Sequence, residues 1–124
     1  MSSSAQILYV DDEPINLQLF EINFLGKFDI LTAENGYDGL DTLKSNPNIM
    51  VVISDMKMPK MDGLNFIRKA KAIYQDKKFC ILTGFEISSD IQQALDSGLI
   101  LKYFSKPFNI QEIDTTLSSA LKPA

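Results

Sequence analysis

Residues 49–63 constrain this chain more than any other stretch. Ile49-Met50-Val51-Val52-Ile53 is a run of β-branched and other apolar residues, too short for a helix and too uniform for a half-exposed strand. It fits a strand buried on both faces, the kind found in parallel sheets covered by helices. The run passes through Ser54, stops at Asp55, and gives way to a loop holding Pro59 and Gly63. A carboxylate at the carboxyl end of a buried parallel strand sits where open α/β sheets place their ligand sites. Asp is also common in turns, so the choice between a site and a turn depends on what else the chain delivers to that edge.

A chain of 124 residues suits one domain with a real core. The expected unit spans residues 1–124, with an ordered core of about 6–121. Net charge is −4, without a basic stripe, which argues against direct nucleic-acid binding. No apolar stretch reaches membrane-spanning length, and Met1-Ser2-Ser3-Ser4 does not open a signal peptide. The single cysteine, Cys80, rules out an internal disulfide and lies in the apolar run Phe79-Cys80-Ile81-Leu82, as a small core residue would. A cytoplasmic domain is expected. Histidine is absent, so any chemistry must run on carboxylates, hydroxyls and lysines.

Gln6-Ile7-Leu8-Tyr9-Val10 reads as a first strand, stopping at Asp11-Asp12-Glu13. Pro14 suits the first turn of a helix, where its missing N–H costs nothing. Ile15, Leu19 and Ile22 share a face at helical spacing, widened by Phe20 and Leu25, with Gly26 as the stop. Phe28-Asp29-Ile30-Leu31-Thr32 is the second strand, and Tyr37, Leu40 and Leu43 mark the second helix. After the third strand come a helix carrying Phe66, Ile67, Ala70, Ile73 and Tyr74, and a fourth strand at residues 79–82. Ser88-Ser89-Asp90 can cap a short helix with Ile91, Ala94 and Leu95, ended by Gly98. Leu99-Ile100-Leu101-Lys102-Tyr103-Phe104 is the fifth strand. Asn109 with Glu112 resembles a capping box for a last helix buried through Ile110, Ile113, Leu117 and Leu121. Strict alternation of this kind implies right-handed crossovers and a doubly wound parallel α/β sheet.

The carboxyl ends of parallel strands line one edge. The first strand brings Asp11 and Asp12 there, the third Asp55, the fourth Thr83, and the fifth Lys106. Taken singly, each has a plain alternative: a turn Asp, a capping Thr, a solvated Lys. Together they are complementary. Clustered carboxylates repel one another unless a raised pKa or a cation relieves them. A hard divalent cation with oxygen ligands answers best, and Mg²⁺ fits because it needs few protein ligands; zinc would ask for His or more Cys. Such a cation, an ammonium and a hydroxyl around one carboxylate make a cage for a phosphoryl group.

These residues resemble the receiver domains of two-component response regulators, the chemotaxis response regulators among them. The marks are Val10-Asp11-Asp12-Glu13-Pro14, Ser54-Asp55-Met56-Lys57-Met58-Pro59-Lys60-Met61-Asp62-Gly63, Leu82-Thr83-Gly84 and Lys106-Pro107-Phe108, in order from Ile7 to Leu121. The resemblance implies a flavodoxin-like (βα)5 fold, five-stranded and parallel, in the order 2-1-3-4-5. It implies a phosphoprotein of a phosphorelay, with Asp55 as the phosphoacceptor that carries an aspartyl phosphate. Magnesium would be held by Asp12, Asp55 and the Lys57 backbone carbonyl, with Asp11 acting partly through water. Lys106 and Thr83 would contact the phosphoryl group, Thr83 and Tyr103 would form a switch pair, and the Lys106–Pro107 peptide would be cis. The fourth helix, fifth strand and fifth helix would present the face that changes.

The implied phosphodonor is a sensor histidine kinase or a histidine phosphotransfer protein, with an unnamed downstream effector or output domain and no membrane or nucleic-acid partner. A homodimer through the last helix is compatible with the chain. Catalysis would be confined to self-catalysed phosphotransfer and autodephosphorylation, slowed by Lys57 and Phe85 beside the acceptor. Gly39 stands where this family often has Ala, a matter of stability. The rival readings are a degenerate receiver acting as a docking module, a small Mg²⁺-dependent aspartyl phosphatase, and a flavodoxin-like cofactor carrier. The phosphatase would want a second Asp where Lys57 stands, and the carrier a Ser/Thr/Gly phosphate loop where Asp11-Asp12-Glu13 stands.

Overall fold

A computed structural model describes residues 5–84 and 87–122. Strand and helix alternate along the chain: β1 (Gln6–Val10), α1 (Pro14–Asn23), β2 (Asp29–Ala33), α2 (Gly36–Ser45), β3 (Ile49–Asp55), α3 (Gly63–Ile73), β4 (Lys78–Thr83), α4 (Ser89–Asp96), β5 (Lys102–Ser105) and α5 (Ile110–Ala120). All strand pairs are parallel, in the order β2-β1-β3-β4-β5. Both the fold class and the strand order are as expected. Among the described residues, no helix is long and apolar enough to cross a membrane.

Side chains alternate across each strand and so feed two cores. Leu8, Val10, Val52, Phe79 and Ile81 pack with Leu43, Leu64, Phe66, Ile67, Ile91 and Ala94 on the α2-α3-α4 side. Ile7, Tyr9, Val51, Ile53, Cys80, Leu82 and Phe104 pack with Leu17, Phe20, Phe24, Ile113 and Leu117 on the α1-α5 side. Burying a large apolar side chain is worth roughly 1.5–3 kcal/mol, so both faces of the sheet stabilise the rim they support. At the opposite edge the Lys77 ammonium donates to the carbonyls of Pro47 (2.9 Å) and Ile49 (2.5 Å), tying β4's approach to the start of β3.

Helix starts are set by side-chain caps. Asn35, Asp62, Ser88 and Asn109 accept from the backbone N–H groups of Asp38, Asn65, Ile91 and Glu112, at 2.8, 2.8, 3.2 and 2.9 Å. Such a cap is typically worth about 1 kcal/mol. The Glu112 carboxylate lies 3.6 Å from Lys102.

Four expectations need correction. The buried face of α1 is Leu17 and Phe20, continued by the capping Phe24, while Ile15, Ile22 and Leu25 are 67, 68 and 83% exposed and Leu19 is also exposed. Aromatic area decides the rotation of this helix. Phe20 stacks on Tyr9 at 4.3 Å and meets Phe24 and Phe108 at 4.7 and 5.5 Å, burying more surface than the aliphatic stripe could. The helix also ends at Asn23, and Gly26 serves the following turn with φ +83°.

The fifth strand begins at Lys102, because Ile100 N–H still turns back to the carbonyl of Ala94 and Leu101 is exposed. Ile73 and Ile110, expected on buried stripes, are exposed at the ends of their helices.

Gly39 is matched to the core. A Cβ placed there would meet Phe66 ring atoms at 2.8 and 2.9 Å and Val10 Cγ2 at 3.3 Å. The helix-propensity gain of Ala is up to about 1 kcal/mol, whereas overpacking a core costs typically 1–3 kcal/mol. Gly39→Ala is therefore expected to lower the urea midpoint despite its better helix propensity. A raised midpoint would show that the Phe66 ring yields freely.

Candidate functional site

β1, β3, β4 and β5 end level with one another, and the predicted polar residues meet at that rim. One carboxylate oxygen from each of Asp11, Asp12 and Asp55 lies within 4.8 Å of the others. Asp11 is wholly buried and Asp55 nearly so, while Asp12 is exposed at the mouth. Lys106 reaches in from the β5–α5 loop, its ammonium 3.0 Å from Asp11 Oδ2 and 3.4 Å from Asp55 Oδ1. The Lys106–Pro107 peptide is cis, as expected. Lys106 N–H donates to the Thr83 carbonyl at 2.8 Å, which fixes the ends of β4 and β5 together. Thr83 is buried, and it has the strand parity of Phe79 and Ile81, which face the α3-α4 side. Tyr103 pairs with Ile81 and packs, half-buried, against the same core.

The electrostatics follow from this crowding. Burial, then repulsion from Asp11, outweigh the attraction of Lys106, and Asp12 adds to them; the Asp55 carboxyl is pushed up to about 6. The Lys106 ammonium loses some hydration by burial. Its contacts with Asp11 and Asp55 more than offset that, and its pKa is raised. One ammonium offsets one of three clustered carboxylates, leaving an excess negative charge that a divalent cation would balance. The donors are oxygens only and include the exposed Asp12, which leaves room for retained waters. This donor set fits Mg²⁺.

Lys57 is exposed, and with Asp12, Met56, Met58, Pro59 and Asp62 it lines a crevice of about 410 Å³ at the mouth. Phe85, expected to shield the acceptor with Lys57, lies outside the described residues.

Three features of the site were not expected. The Tyr9 hydroxyl donates to Asp11 Oδ2 at 2.6 Å and the Asn16 amide to the same oxygen at 3.2 Å. A hydroxyl on an otherwise apolar strand two residues before Asp11 was the available signal for the first. Gly63 is the third: its N–H donates to the Met56 carbonyl at 2.8 Å, and its lack of a side chain lets α3 start against the end of β3. Among the described residues no buried side-chain polar atom lacks a partner.

The chain is similar to known proteins of one family. A family model described as the response regulator receiver domain matches residues 7–118. The "Chemotaxis protein CheY homolog" of Campylobacter jejuni is 31% identical over 120 residues, covering 94% of this chain and 92% of that protein. "Sporulation initiation phosphotransferase F" of Bacillus subtilis is 34% identical over 110 residues, covering 87% and 86%. A crystal structure of a response regulator receiver domain protein from Clostridium thermocellum superposes with a TM-score of 0.87 at 33% identity, covering 94% of each chain. With the fold, the rim chemistry and these relatives in agreement, the chain belongs to the response regulator receiver domain family, the phosphorylation-dependent signalling module of two-component systems.

Proposed function

We propose that Asp55 accepts a phosphoryl group from a phosphohistidine on a sensor histidine kinase or a histidine phosphotransfer protein. The observation that carries this reading is the position of Asp55: a nearly buried carboxylate at a strand end, 3.4 Å from the Lys106 ammonium and crowded by Asp11 and Asp12. A carboxylate oxygen of Asp55 forms the new P–O bond as the P–N bond of the phosphohistidine breaks. The imidazole leaves with that electron pair and takes a proton from solvent. The Lys106 ammonium meets one phosphoryl oxygen and the Thr83 hydroxyl another, stabilising charge where it collects in the transition state. Asp12, Asp55 and the Lys57 carbonyl would hold Mg²⁺, with Asp11 acting partly through water. When bound, the ion neutralises negative charge at the carboxylates and the phosphoryl oxygens. Hydrolysis of the aspartyl phosphate returns the module to its starting state, and in this sense alone does the chain act as an enzyme.

The donor would approach along α1. The exposed Ile15, Leu19, Ile22 and Leu25 form an apolar stripe there. Leu19 borders a crevice of about 350 Å³ with Asn16, Gly84, Lys106, Pro107 and Phe108, directly beside the rim. The output would run through Thr83 and Tyr103. A hydroxyl drawn toward the phosphoryl group vacates space on the side of the sheet where Tyr103 packs, and the ring moves in to fill it. The α4-β5-α5 face changes with it and meets the effector. The reducing cytoplasm is the compartment this reading places it in.

The test is intact mass after incubation with a small phosphodonor such as acetyl phosphate. A phosphoryl adduct is expected on the wild-type chain with Mg²⁺, lost with a chelator and absent in Asp55→Asn. An adduct that persists in Asp55→Asn, or none on the folded wild-type protein, sinks the assignment.

A further inference from the structure

Asp11 is wholly buried and both of its oxygens are engaged. Oδ1 accepts from the Glu13 N–H at 2.9 Å. Oδ2 accepts from three donors at once: the Tyr9 hydroxyl at 2.6 Å, the Asn16 amide at 3.2 Å and the Lys106 ammonium at 3.0 Å. These donors differ in freedom. The Tyr9 ring is buried near the end of β1 and stacked on Phe20 at 4.3 Å, so its hydroxyl has nowhere else to go. The Lys106 side chain is 24% exposed on a flexible stem, with a second carboxylate, Asp55, at 3.4 Å. A core aromatic needs no hydroxyl. A buried hydroxyl held at 2.6 Å from a carboxylate oxygen makes a short, charge-assisted bond.

Capture of a phosphoryl group on Asp55 draws the Lys106 ammonium toward the new oxygens. Asp11, which would meet the Mg²⁺ partly through water, is then left buried with one direct donor fewer, a costly state for a carboxylate oxygen without other donors. We infer that Tyr9 is a positioning residue for phosphoryl capture: its hydroxyl, with the Asn16 amide, keeps Asp11 compensated while Lys106 passes from Asp11 to the phosphoryl group. One carboxylate oxygen offers about two lone-pair sites, so the three donors on Asp11 Oδ2 compete for it. Without the hydroxyl, Asp11 keeps Lys106 for itself. The inference rests on Asp55 being the phosphoacceptor.

Tyr9→Phe tests it, because the stacked ring stays and only the hydroxyl goes. Two affinities are measured by calorimetry: Mg²⁺ alone, and beryllofluoride, a phosphoryl mimic, at saturating Mg²⁺. The hand-over predicts that beryllofluoride binds about tenfold more weakly in Tyr9→Phe, the scale of one hydrogen bond to a charged group, while Mg²⁺ affinity changes far less. A packing defect would weaken both together, and that outcome overturns the inference. A second measurement uses the metal-free protein and needs no phosphoryl chemistry. If hydroxyl and ammonium compete for one oxygen, Tyr9→Phe lowers the urea midpoint more in a Lys106→Ala background than in the wild type. Equal decrements overturn the inference as well. The two readings fail separately: a wild-type chain that binds no beryllofluoride removes the phosphoacceptor assignment, whereas wild type and Tyr9→Phe binding it equally removes only the role of Tyr9.

Discussion

Gly63→Ala is expected to be the most damaging single-methyl change in the molecule. A Cβ at this position would stand 2.2 Å from the Asp55 carbonyl oxygen, 3.0 Å from Met56 Cα and 3.1 Å from the Asp55 carbonyl carbon. All three are backbone atoms, so no rotamer change can make room. The start of α3 must move off the end of β3 by about an ångström, and the 2.8 Å bond from Gly63 N–H to the Met56 carbonyl goes with it. Overpacking typically costs 1–3 kcal/mol and a lost backbone hydrogen bond about 1 kcal/mol, so destabilisation of about 3 kcal/mol is expected in urea unfolding. Function should suffer beyond stability, because the shifted backbone carries Asp55 itself. A displacement of that size in a reacting group is worth about a hundredfold in rate. Phosphorylation by acetyl phosphate, measured at a temperature where the variant remains folded, should drop by that order. A folded variant with the wild-type rate would show that the α3 end gives way without moving Asp55.

Gly63 also illustrates what the sequence could and could not say. Its place in the loop after Asp55 marked a turn, but the approach of α3 to the β3 backbone is a tertiary distance that one-dimensional spacing does not carry. The rim itself was legible. Strand-terminal polar residues project to one edge of any parallel sheet, so Asp11, Asp12, Asp55, Thr83 and Lys106 could be placed together from element order alone, and the structure gathers the three carboxylates and Lys106 around one point. Strand interiors were legible for the same reason. A residue buried on either face of a covered sheet must be apolar whichever face it occupies, and Ile7, Leu8, Val51 and Val52 are.

The failures lie where two solutions compete at similar spacing. On α1, Ile15, Leu19 and Ile22 fit helical periodicity as well as Leu17, Phe20 and Phe24 do. The arbiter was the aromatic cluster with Tyr9 and Phe108, contributed by residues distant in sequence. That the discarded stripe is apolar and exposed is itself informative, because it borders the rim. The reason for Gly39 was out of reach in a related way. Helix propensity is a local quantity, and the Phe66 ring that occupies its missing Cβ comes from the next helix. Tyr9 reads as core by pattern, and only its hydroxyl's contact with Asp11 separates it from a Phe.

In the metal-free protein Asp55 should be most destabilising at and above neutral pH. Asp55 has its pKa pushed up from 3.8 to about 6, first by burial and then by the charge of Asp11. Well below pH 3.8 the group is protonated in both the folded and unfolded chains and costs nothing. Between pH 4 and 6 the unfolded chain releases its proton first. The folded state then binds more protons than the unfolded one, and the contribution of this group to stability falls as pH rises. Above pH 6 the penalty is complete, on the order of 1–2 kcal/mol once solvent reaching the open rim is allowed for. Asp55→Asn removes the ionisation, so in chelator the variant should exceed the wild type in urea midpoint at pH 7.5 and approach it near pH 3. Mg²⁺ should invert the order at pH 7.5: an ion that Asp12 and Asp55 would hold stabilises the folded state by mass action, and the variant would have lost one of its charged ligands. Urea unfolding of both proteins at the two pH values, with chelator and with millimolar Mg²⁺, gives the comparison directly. A wild-type chain in chelator that is already as stable as Asp55→Asn at pH 7.5 would mean that Lys106 alone balances the cluster. The excess charge that calls for a divalent cation would then not exist.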